Sequence, residues 1–161
     1  MYGEFKELLT DDTPTPLLNY DRITHYADAN LFHYLLNGCS VTGILHLVNK
    51  TPVDWYYKKQ STLEKFTYGS EFFSSRTCVE HIIYLRNNRW FFGIPIRQKN
   101  HMFGDNKYVV NSAIHPHAKL HKRNTAISFH RFREAIASKM VAFYHVYGGD
   151  KPSDIISNHW S

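Results

Sequence analysis

Four acidic residues stand where short apolar runs end or helical periodicities begin: Asp28, Glu71, Asp105 and Asp154. Carboxylates brought to one place from separate elements hold divalent cations. Two such ions, roughly 4 Å apart, activate a water and stabilise the leaving oxygen in phosphodiester hydrolysis. An all-oxygen donor set suits Mg²⁺ or Mn²⁺. Taken singly, each acid also has a simpler role. Glu71 and Asp154 would be favourable charges at helix starts, Asp105 a turn residue, and Asp28 a solvated group at a strand end.

Cations that could grip a polyanion form a second set. Lys119, His121, Lys122 and Arg123 lie at the expected start of a helix, where the macrodipole disfavours further positive charge. That placement points either to a phosphate partner or to a solvated basic face. Asn106 and Lys107, beside Asp105, are the next candidates for nucleic-acid contact. Tyr68, Tyr108 and Trp160 offer ring faces for stacking or for packing.

The eleven histidines include His115, His117 and His121, but their spacing crosses Pro116 and no cysteine lies near, so no zinc centre is expected there. His145, before the Gly148-Gly149 turn, reads as structural and hydrogen-bonded to backbone, with proton transfer near the metals as the alternative. The only cysteines, Cys39 and Cys78, are too few for a disulfide framework and read as core thiols.

The elements that must position these groups follow from periodicity. Ile23, His25 and Ala27 alternate with polar or aromatic neighbours, a strand ending close to Asp28. Residues 40–48 and 52–57 are β-branched and aromatic runs separated by Asn49, Lys50 and Thr51, giving three tightly connected strands. Phe72, Val79, Ile82 and Ile83 recur at helical spacing to about Asn87, with Glu71 in the first turn. His101 to Phe103 form a fourth strand ending at Gly104 and Asp105. Residues 106–113 make a short helix. From Leu120 a longer one shows Phe129, Phe132, Ile136 and Met140, separated from the first by Pro116. Residues 141–147 return to strand character, and Asp150 with Pro152 starts a final helix. The order β-β-β-α-β-α-α-β-α calls for a mixed five-stranded α/β (α+β) sheet flanked by helices.

Residues 1–20, punctuated by Pro14 and Pro16, read as an arm or linker, with one domain over 21–161. No apolar stretch reaches membrane-spanning length, and Tyr2, Glu4, Lys6 and Glu7 do not resemble a signal peptide, so an intracellular setting is expected. The net charge of +5 and pI near 9.2 favour a polyanionic partner.

Seven blocks in order resemble the ribonuclease H domain that closes the polyprotein of copia-type retrotransposons. Tyr26-Ala27-Asp28-Ala29 is similar to that family's first-strand motif, and Val41-Thr42-Gly43 to its second strand. Trp55 with Lys58-Lys59-Gln60 resembles its W-x-S-K-K-Q segment, and Glu71-Phe72 falls at its second acid. Asp105-Asn106, His117 to His121, and Asp154-Ile155-Ile156-Ser157 resemble its later motifs. Two departures are visible: Ser70 precedes Glu71 without the family's accessory acid, and Ser153 replaces alanine before Asp154.

The resemblance covers residues 21 to 160 and implies the ribonuclease H-like fold, with Asp28, Glu71, Asp105 and Asp154 as catalytic ligands of two Mg²⁺ or Mn²⁺ ions. The implied activity is hydrolysis of the RNA strand of an RNA·DNA hybrid. The implied setting is a monomer in the cytoplasm, a virus-like particle or the nucleus, beside a reverse transcriptase domain joined near residues 14–16. A catalytically silent nuclease-fold module that binds nucleic acid or supports a reverse transcriptase is the alternative. An integrase of related fold is disfavoured, because its glutamate would come last rather than second.

Overall fold

The computed structural model describes residues 22–30, 39–61, 67–94, 96, 98–115 and 126–147. Among the described residues there are five strands, β1 (Ile23–Asn30), β2 (Val41–Val48), β3 (Thr51–Lys59), β4 (Asn100–Gly104) and β5 (Val141–His145), and three helices, α1 (Thr67–Phe91), α2 (Lys107–Ile114) and α3 (Ala126–Ala137). The sheet runs β3-β2-β1-β4-β5, antiparallel from β3 to β1 and parallel from β1 to β5. This is the expected mixed sheet. The expected arm over 1–20, the helical residues before Ala126 and the final helix lie outside the described residues.

Local chemistry explains the elements. The β2–β3 hairpin turns on Asn49 and Lys50, both at positive φ (50° and 72°), the backbone of a type I′ turn whose twist matches its strands. Asn49 also exchanges two 2.9 Å bonds with the backbone of Arg22, tying the start of β1 to the hairpin tip. Pro52 sits on the edge strand beside a register shift, where its missing N–H costs no ladder bond.

Along α1, Phe72, Ser75, Val79, Ile82 and Arg86 recur at three- and four-residue steps and are all buried. Ile83 falls off this stripe and is exposed, contrary to expectation. The helix also runs one turn past Asn87. Gly93, at φ 68°, donates to Trp90 O, and Ile94 donates to Arg89 O, so paired C-terminal bonds rather than burial set the end. Against the sheet, Phe72 meets Phe129 and Phe132 of α3, and Phe132 meets Phe143 of β5 edge-on at 4.9 Å. Cys78 is a core thiol whose pKa burial pushes up, whereas Cys39 is half-exposed rather than core.

Candidate metal centre

Three of the four expected acids meet. Ligand oxygens of Asp28, Glu71 and Asp105 all lie within 4.8 Å of one another, with Asp28 and Glu71 buried and Asp105 half-exposed. Asp154 lies outside the described residues, as do Lys119, His121, Lys122 and Arg123.

Each acid is delivered by a different element. Asp28 lies in β1, which extends two residues further than expected and pairs it with Gly43 of β2. A glycine opposite leaves the acid room on its face of the sheet. Asp105 immediately follows β4, which runs parallel to β1, so both acids stand toward the C-terminal ends of adjacent parallel strands. Glu71 enters from α1. It sits in the second turn, not the first, because the helix begins at Thr67. Its Oε1 accepts from Ala29 N at 3.3 Å, and three residues on, Ser74 Oγ donates to Asp28 O at 2.8 Å. Two bonds thus pin the helix to the backbone on either side of the Asp28 peptide.

Gln60 supports this arrangement from behind. Its buried amide donates to Thr42 Oγ1 (2.9 Å) and to Ser70 O (3.1 Å), joining β2 to the helical residue before Glu71. Gln60 closes the lysine-lysine-glutamine segment noted in the sequence, but its positioning role was not legible there. His145 is hydrogen-bonded to backbone, as expected: Nε2–H donates to Asp105 O at 2.9 Å. Asn106 caps α2, accepting from Tyr108 N and Val109 N, so its side-chain oxygen is engaged within the protein. Lys107 and Tyr108 are exposed beside it, while Tyr68 packs edge-on against Phe72.

Chemically, three convergent carboxylates repel one another unless a cation or proton intervenes. Their hard oxygen donors fit Mg²⁺ or Mn²⁺ rather than a softer metal. Among the described residues no helix is long and apolar enough to cross a membrane.

No protein-family model matches the chain, and neither does any curated protein. Solved structures do. The chain is similar to ribonuclease H1 from the halophilic archaeon Halobacterium salinarum, with a TM-score of 0.63 and 12% identity over 84% of this chain and 93% of that one. It is similar to a ribonuclease H1 isolated from compost and solved with an RNA/DNA hybrid (TM-score 0.59, 11% identity, 84% and 93% covered). The protease-reverse transcriptase of prototype foamy virus also matches, with a TM-score of 0.61 and 11% identity over 93% of this chain and 22% of that protein. The chain therefore has the ribonuclease H-like fold.

Proposed function

We propose that this domain hydrolyses the RNA strand of RNA·DNA hybrids by a two-metal mechanism, as the ribonuclease H part of a copia-type retrotransposon polyprotein. The observation that carries the reading is the meeting of Asp28, Glu71 and Asp105 from three separate elements. The ordered sequence blocks and the hybrid-bound structural neighbour support it. Asp154 completes the set in this reading.

Bound by these carboxylates, two Mg²⁺ or Mn²⁺ ions would supply an activated water and charge stabilisation at the leaving oxygen. The protein's own share is preorganisation. The β-sheet fixes Asp28, the Ala29 and Ser74 contacts hold α1 and Glu71 against it, and His145 braces the Asp105 carbonyl. Exposed Lys107 and the basic residues Lys119, His121, Lys122 and Arg123 would grip phosphates. Hybrid would be told from duplex DNA through groove shape and 2′-hydroxyl contacts. A reverse transcriptase domain of the same polyprotein is the proposed protein partner, in an intracellular particle.

The test is incubation of the purified chain with labelled RNA·DNA hybrid, RNA alone and duplex DNA, each in Mg²⁺, Mn²⁺ and chelator, alongside Asp105→Asn. Metal-dependent cutting of RNA only in the hybrid, lost in the variant, is the expected result. Hybrid binding without cutting in either metal would replace the enzyme by the silent binding module.

A further inference from the structure

A second group of metal-competent side chains lies away from the carboxylates. His46 on β2 and Asp54 on β3 are register partners at the hairpin's irregularity, and His81 reaches them from α1. One ligand atom from each falls within 4.8 Å of the others. His81 is ten residues along α1 from Glu71, about 15 Å of helix, so the two groups are separate.

His46 is the informative member. It is wholly buried (0% exposed). Its Nδ1 lies 2.6 Å from His25 Nδ1, while its Nε2, also buried, has no hydrogen-bond partner. A buried polar atom without a partner is a net cost unless a ligand engages it. The His46 and His81 rings have centroids 5.5 Å apart and planes 20° from parallel.

We propose that His46, Asp54 and His81 bind one transition-metal ion, Zn²⁺ foremost, with water in the fourth position. Two nitrogens and one oxygen suit Zn²⁺ and not Mg²⁺. Asp54 and His81 are half-exposed and give the ion a path in, whereas His46 anchors it from the core. The ion ties edge strand β3, whose only strand neighbour among the described residues is β2, to the long helix. It is a structural clip, independent of the nuclease reading.

A hydrogen-bond relay sets the protons. Arg86 Nη1 donates to Asn100 Oδ1 (2.7 Å), and Asn100 Nδ2 donates to His25 Nε2 (2.8 Å). His25 must then donate from Nδ1 to His46 Nδ1, which leaves His46's proton on Nε2. Zn²⁺ takes that nitrogen. The His46 proton moves to Nδ1 and is donated to His25 Nδ1, and the His25 proton moves to Nε2, received by the oxygen of a turned Asn100 amide, which gives up its bond from Arg86 Nη1. Two protons are carried before and after. Asn100→Asp offers an oxygen to both Arg86 and His25 and therefore favours the metal-ready arrangement.

The experiment is titration of the metal-stripped chain with Co²⁺ and then Zn²⁺, in saturating Mg²⁺ so that the carboxylates do not contribute. The expected result is the intense visible absorption of four-coordinate Co²⁺ at one equivalent, displaced by Zn²⁺. His81→Ala and Asp54→Ala, at half-buried positions that leave the core intact, should each weaken binding at least tenfold, and Asn100→Asp should tighten it. Absence of the four-coordinate spectrum, or affinity unchanged in both alanine variants, overturns the site. Unchanged or weaker binding by Asn100→Asp overturns the relay.

Discussion

Asp28 and Asp105 each stand two residues beyond a partner in the same stacked pair: Tyr26 and Phe103 are in register across the parallel β1–β4 pair, with rings 5.3 Å apart. The ring stack continues from Phe103 to Tyr144 of β5 at 5.4 Å. A ladder of aromatic residues on one face therefore levels the parallel strands, and with them the two acids at their ends.

Levelled acids repel when no cation is present. Neutralising one of the three carboxylates by Asp105→Asn should raise stability in chelator by about 1 kcal/mol, or about 2–4 °C in Tm for a chain of this size. Added Mg²⁺ should raise the Tm of the wild type more than that of the variant, because only the former keeps the full ligand set. Thermal melts with and without Mg²⁺ check both halves. A lower Tm for the variant in chelator would mean that the acids are not in electrostatic conflict.

Gln60→Leu should separate positioning from chemistry. The substitution removes the two amide bonds to Thr42 and Ser70, at a cost of roughly 1–3 kcal/mol. Glu71, next to Ser70, should lose its alignment, so cleavage should fall by more than the unfolded fraction explains. Urea midpoints measured beside single-turnover cleavage rates, at temperatures where both proteins are folded, show whether it does.

Much of this architecture was legible because it is local. The alternation of Ile23, His25 and Ala27 and the stripe of Phe72, Val79 and Ile82 announce their elements, and burial in the structure follows both patterns. Helix ends were less legible. Apolar spacing carries the helix only to about Asn87, yet bonds closing around Gly93 extend it to Phe91. The three acids were found by their places at element ends and by ordered resemblance. The His46, Asp54 and His81 group had no such signal. Its members come from two strands and a helix, and no sequence spacing encodes that meeting.

Gly104 is a point where fold and site share one atom's worth of space. A Cβ there would lie 2.9 Å from Phe143 Cζ, a ring packed edge-on against Phe132 in the core. Gly104→Ala should therefore destabilise by about 1–3 kcal/mol through overpacking. Because Asp105 is the next residue, cleavage should also fall in the fraction that remains folded. Denaturant unfolding and cleavage assays check the two effects, and unaltered stability would show that Phe143 can move aside freely.

Acid sensitivity should trace to the buried histidines. Burial, and then His81, lowers the His46 pKa from its ordinary 6.5 to about 4, with Asp54 acting in the opposite direction. Burial, and then His46, holds His25 well below its ordinary value. Both rings are thus neutral in the folded protein near pH 6, where the unfolded chain has begun to protonate them. The unfolded state binds more protons between pH 6.5 and about 4, so stability is full above that window and falls as pH drops through it. For His46 alone the loss amounts to roughly 3 kcal/mol over the window. Urea midpoints of the metal-stripped chain, recorded from pH 7.5 down to 4.5, should show this decline, and His46→Gln should flatten its slope by removing one titrating ring. An equal slope in the variant would assign the acid sensitivity to groups other than His46.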